Sequence, residues 1–342
     1  MPTPHPSYFI LDSPTHVYTS TKPILHPTFQ ATIKLKQLFS ITLQSSQPLS
    51  PPPLPPLQTP SPRPSVVPLL KSNLQKCIRR KLASKAVKSM YLFMSINVQE
   101  AIRRLIIIIL EDALPIPALS TLAWLMMATS KGYLLTPEQT SFTLGVVYLI
   151  SHSNYRLPVK SVDSQIDFDM LNNLGSTKKD MIWAMLFRKA YGGMKGDQDM
   201  LDRLSIFWSD VLDNIYFNPS PSDKFDLVWN AWCEIGTKKV ELIDLDVLPE
   251  PSKLDLSKVL ITASVDQHSH VQIIRLIRSR HPNLTEDDIR GALWLHRSRL
   301  NKRPVADPKI AKEGQPPEKF LGIWKLIKDD AEMLSRKVIM MF

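Results

Sequence analysis

The chain has 342 residues, 44% of them hydrophobic and 22% charged, with a formal net charge of +10. That supplies one large or two modest cores, and two cysteines, Cys77 and Cys233, exclude a disulfide scaffold or a cysteine-rich zinc site. The excess charge lies in the first 99 residues, where eleven Lys/Arg face the single acid Asp12, so residues 100–342 are neutral overall.

Residues 1–68 hold 16 of the 29 prolines, including Pro51-Pro52-Pro53-Leu54-Pro55-Pro56 and Thr59-Pro60-Ser61-Pro62-Arg63-Pro64. Proline removes amide donors and biases the chain to polyproline II, so a disordered Pro/Ser/Thr-rich leader is expected over 1–68. Its hydroxyl richness and near-absence of acid fit an organellar transit peptide, and a disordered tail or PxxP docking segment fits as well. No apolar stretch near the start reads as a secretory signal. The longest apolar run, Leu105–Leu110, is far below the roughly 18–20 residues of a membrane span. The expectation is a soluble, intracellular chain with no membrane partner.

From Leu69 onward apolar residues recur at three- and four-residue steps, the signature of helices. A first helix is predicted from Ser72 to Met94. A second starts at Asn97, followed three residues on by Glu100 in a capping-box-like pair, and stops before Pro115. Its run Leu105–Leu110 is apolar on every side and should be central. A third, Ala118–Lys131, ends at Gly132, and Thr136-Pro137 opens a fourth. Further helices are predicted over Lys178–Tyr191, Asp197–Tyr216, Asp223–Ile235, Val271–Arg280, Glu286–Leu300 and Glu318–Met341, with Val240–Val247 as a short strand. The fold class expected is all-α: an array of about ten helices, divided into a main body over 69–248 and a C-terminal helical unit over 249–342. Both cysteines sit among helical-pattern apolar residues and are expected as buried free thiols.

Three constellations could carry chemistry. The first is a set of bases, Lys76, Arg79, Arg80, Arg103 and Arg104, flanking the apolar helix. They form either a phosphate-binding surface or helix ends neutralised internally. Leu74–Val87 followed by Glu100–Asp112 resembles the helical C-terminal region of clamp-loader-type AAA+ ATPases, the replication-associated MgsA and Werner-helicase-interacting type. The likeness covers about residues 72–113 and implies a helical, self-associating scaffold near DNA or replication factors. The chain has no Gly-x-x-x-x-Gly-Lys-[Ser/Thr] loop, so an ATPase is not implied. Trp124–Tyr133 and Tyr191–Asp197 also resemble uncharacterised eukaryotic or large-virus proteins, which implies no mechanism.

The second constellation is Gly192, Gly193, Lys195 and Gly196, a glycine cluster before a helix. It reads as an anion-binding loop or as a tight helix–helix turn. The third spans 271–303, where eight bases (Arg275, Arg278, Arg280, Arg290, Arg297, Arg299, Lys302, Arg303) face three acids (Glu286, Asp287, Asp288). Arg297, Arg299, Lys302 and Arg303 are its candidate phosphate contacts, and Trp294 could be core or could stack a base. Asp266, His268 and His270 make a weak acid–base group, and no complete metal set, cofactor motif or catalytic triad is legible. Three functions remain open. One is a non-catalytic helical scaffold on DNA or RNA. The second is an adaptor for protein partners or a homo-oligomer, and the third is an enzyme using His268/His270 or Gly192–Gly196.

Overall fold

The computed structural model describes residues 6–35, 40–48, 66–152, 174, 176–217, 230–261, 271–296 and 318–340. It opens with a sheet. Strands β1 (Tyr8–Ser13), β2 (His16–Ser20), β3 (Phe29–Lys34) and β4 (Ser40–Ser45) lie in the order β2-β1-β4-β3. The outer pairs are antiparallel and β1 runs parallel to β4. The all-α class is therefore overturned, and so is the disordered leader at the described residues 6–35, 40–48 and 66–68. The physical reason is the placement of the prolines. Pro14 sits in the β1–β2 turn and Pro23 and Pro27 sit between β2 and β3, where no ladder amide is needed. Within the strands the residues alternate, as in Ile41-Thr42-Leu43, with Phe9, Leu11, Ile33, Ile41 and Leu43 buried.

Ten helices follow among the described residues: α1 (Val66–Arg79), α2 (Ala83–Asp112), α3 (Ala118–Thr129), α4 (Pro137–Ser151), α5 (Ser176–Tyr191), α6 (Lys195–Phe217), α7 (Leu256–Val259), α8 (Val271–Arg280), α9 (Glu286–His296) and α10 (Glu318–Met340). The sheet is fastened to α3 and α5 by specific polar bonds. Trp124 Nε1 donates to the Phe9 carbonyl at 2.8 Å, and Thr121 Oγ1 to Thr15 O at 2.8 Å. Asp180 Oδ1 accepts from Thr19 N and Oγ1 at 2.8 and 2.6 Å. Phe29, Trp124 and Tyr133 meet edge to face beside them.

The predicted first helix is interrupted. Lys81 adopts φ +58°, Leu82 N donates to Cys77 O at 2.9 Å and Lys81 N to Ile78 O at 3.1 Å. These bonds form a Schellman stop with lysine in the left-handed position usually held by glycine. Asn97 breaks α2 internally, and its Oδ1 accepts from Glu100 N at 3.0 Å, as the sequence suggests. Beyond it, Leu105–Leu110 are all buried. Gly132, at φ +86°, ends α3 where expected, and Thr136 with Gln139 forms a full capping box for α4.

No strand forms over Val240–Val247. That segment crosses α4 instead: Ser141 Oγ bonds Ile243 O, and a Cβ on Gly145 would come 1.9 Å from Glu241 O. Of the helix predicted over Asp223–Ile235 the described part is 230–235, which enters a π turn at Trp232–Gly236. The end of α7 is pinned to α1 through Asn73. Its Nδ2 donates to Val259 O at 3.3 Å and its Oδ1 accepts from Ile261 N at 2.9 Å.

Candidate nucleic-acid interface

α1 and the second half of α2 pack side by side, and this brings most of the first basic constellation inward. Arg79 Nε pairs with Asp112 Oδ1, with both side chains about nine-tenths buried. Gln75 is the hub: its Nε2 donates to Glu111 Oε2 at 3.0 Å and to Asp112 Oδ2 at 2.7 Å, while its Oε1 accepts from Arg104 Nη2. Lys76 is 5% exposed on the same helix. Burial pushes the Glu111 carboxyl up to about 7, against the opposing pull of Arg104. Burial likewise raises the Cys77 thiol to about 12, so Cys77 is the buried thiol expected. Cys233 is exposed and departs from that expectation.

Arg103 points elsewhere. Its Nη2 donates to the Gly192 carbonyl at 3.1 Å, and Arg188 Nη1 donates to the same oxygen at 2.7 Å. Arg188 is 1% exposed, and burial followed by the neighbouring Arg103 lowers its pKa to about 10. Gly192 and Gly193 have φ of +102° and +150° and make the tight α5–α6 turn. Lys195 and Gly196 are exposed at the start of α6. Arg80 is exposed in the α1–α2 turn with Lys81. The structure thus does not gather Lys76, Arg79, Arg80, Arg103 and Arg104 into one outward patch. Their phosphate-binding reading gives way to the internal one for Lys76, Arg79 and Arg104.

Arg297, Arg299, Lys302 and Arg303 lie outside the described residues, as do His268 and His270. Among the described residues of this segment, α8 turns a basic face outward. Ile273, Ile274 and Ile277 turn into the core while Arg275, Leu276, Arg278 and Arg280 are exposed. Arg280 pairs with Asp330 of α10, which also meets His281 Nε2 at 2.8 Å. Among the described residues Arg275 and Arg278 form no ion pair, and neither do the exposed Lys325 and Lys328 on α10. Sequence reasoning placed Arg275 and Arg278 in a basic segment but did not single them out, although period-3.6 alternation with isoleucine marks them. It missed Lys325, Lys328 and Arg188, the last because nothing local announces a buried arginine.

No helix among the described residues is long and apolar enough to cross a membrane. No protein-family model, curated protein or solved structure matches the chain.

Proposed function

We propose that this chain is a non-catalytic helical scaffold associated with nucleic acid, touching backbone phosphates through the outer face of α8 and the adjoining bases of α10. The observation that supports the reading is α8 itself, which carries three arginines and no acid and turns its isoleucines inward. Such a helix presents charge that no partner within it cancels, an arrangement suited to neutralising phosphates. The clamp-loader-like stretch over 72–113 fits a scaffold role. Its Arg79, Arg104, Glu111 and Asp112 knit α1 to α2, so in this reading the motif builds the hairpin and leaves recognition to other helices.

The test is a salt titration of binding to duplex DNA and RNA by fluorescence anisotropy. Four neutralised phosphates give a log–log slope of about −3.6 on duplex DNA, and Arg275→Gln with Arg278→Gln reduces its magnitude by about 2. Absence of binding at low salt, or an unchanged slope in the double variant, refutes the reading. Leu276 and Leu326, 48% and 63% exposed on the same two helices, favour a protein-adaptor reading as the alternative. There, binding to a protein partner would be insensitive to salt.

A further inference from the structure

Arg103 on α2 and Arg188 on α5 converge from different elements on one carbonyl oxygen, that of Gly192. Among the described residues neither guanidinium forms an ion pair, and the buried Arg188 Nε has no hydrogen-bond partner. A carbonyl can accept both bonds, but it cancels neither charge. The one carboxylate whose field acts on Arg188 is Asp197, in the first turn of α6, and it also acts on Glu111.

Gly193 lies against both guanidinium groups at the surface. A Cβ on Gly193 would sit 3.3 Å from Arg103 Nη2 and 3.5 and 3.6 Å from Arg188 Nη1 and Nη2. Gly193 is exposed, so at that point a single hydrogen stands where any other side chain would begin. Lys195 is exposed two residues on, and the first amides of the 23-residue helix α6 have no acceptor within the helix.

We propose that this junction binds a tetrahedral oxyanion of the phosphate class, either as free phosphate or as a phosphate monoester. Guanidinium forks from two helices meet beside Gly193, two residues before the start of α6. That suits a group with oxygens on several sides better than a planar carboxylate, which one fork satisfies. The site is separate from the α8 surface and does not rest on it.

The experiment is thermal unfolding and calorimetric titration of the full chain with inorganic phosphate, adenosine monophosphate and acetate, each at constant ionic strength against chloride. For a dissociation constant of about 1 mM, 10 mM phosphate multiplies the folded-to-unfolded ratio about tenfold. Arg103→Gln removes one fork, leaves Arg188 Nη1 as the donor to Gly192 O, and binds phosphate about ten- to a hundredfold more weakly. Lys131→Gln, exposed at the end of α3, and the Arg275/Arg278 double variant both respond like the parent. If Arg103→Gln does not fold, Lys195→Gln serves in its place, with a severalfold loss expected. Tighter binding of the monophosphate than of phosphate identifies the esterified source, and the reverse identifies the free ion. An equal response to phosphate and chloride, an acetate response matching that of phosphate, or undiminished binding by the Arg103 or substituted Lys195 variant overturns the proposal.

Discussion

Replacing Glu111 by glutamine tests the internal polar network directly. The carboxyl sits between Gln75, Arg104 and Asp112, and burial raises its pKa from 4.5 to about 7. An acid whose pKa is higher in the folded chain keeps its proton there after the unfolded chain has released it. Stability therefore falls as pH rises from about 4.5 to about 7, and the loss is complete above that window. The shift corresponds to at most about 3 kcal/mol, and partial solvent access brings the expected value to about 2 kcal/mol. Glu111→Gln removes the titration while its amide oxygen still accepts from Gln75 Nε2. Urea unfolding followed by tryptophan fluorescence at pH 5, 6, 7 and 8 should show the variant and parent within about 1 kcal/mol at pH 5, and the variant about 2 kcal/mol more stable at pH 8. Every other titrating group is common to both proteins, so the difference isolates this carboxyl. A difference that does not change with pH would refute the reasoning.

Two further outcomes follow from local geometry. A thiol reagent at pH 8 should label Cys233 rapidly in the native protein and reach Cys77 only after unfolding, because Cys77 is buried and its thiol is held near 12; labelling of both sites at one rate in the native state contradicts this. Gly145→Ala places a methyl group where Glu241 O already lies, so the 240–245 segment must lift from α4. A loss of about 1–3 kcal/mol is expected, with faster tryptic cleavage at the neighbouring Lys238 and Lys239; a cleavage rate equal to the parent's shows that the segment does not depend on that contact.

Helix boundaries were legible wherever a short-range signal fixes them. Asn97 with Glu100, Thr136-Pro137, and Gly132 each act within four residues, and each is found where the pattern puts it. The stop at Lys81 was not legible, since a lysine in the left-handed region carries no compositional mark. The sheet was hidden for a different reason. Averaging proline over 1–68 blends the strand-bearing residues 8–45, whose prolines fall in turns, with the proline-dense residues 48–64 beyond them. Read over windows of six residues, Phe29–Lys34 and Ser40–Ser45 show strand alternation.

The direction each arginine faces depends on what lies across from it, and that is where sequence reading and structure part. On α2 the arginines at 103 and 104 precede Glu111 and Asp112 by two turns, and α1 supplies Gln75 to join Arg104 to those acids. Burying such groups is tolerable only when each finds a partner. α8 has no acid of its own, and only Arg280, at its end, reaches one on α10. Arg275 and Arg278 must then stay in water, since desolvating either without a counter-charge would outweigh any packing gained. Arg103 and Arg188 fall between these cases: drawn in by α2 and α5, held by a shared carbonyl, and short of negative charge. By the same rule that keeps α8's arginines outside, an anion reaching that pair would supply the charge its shared carbonyl does not.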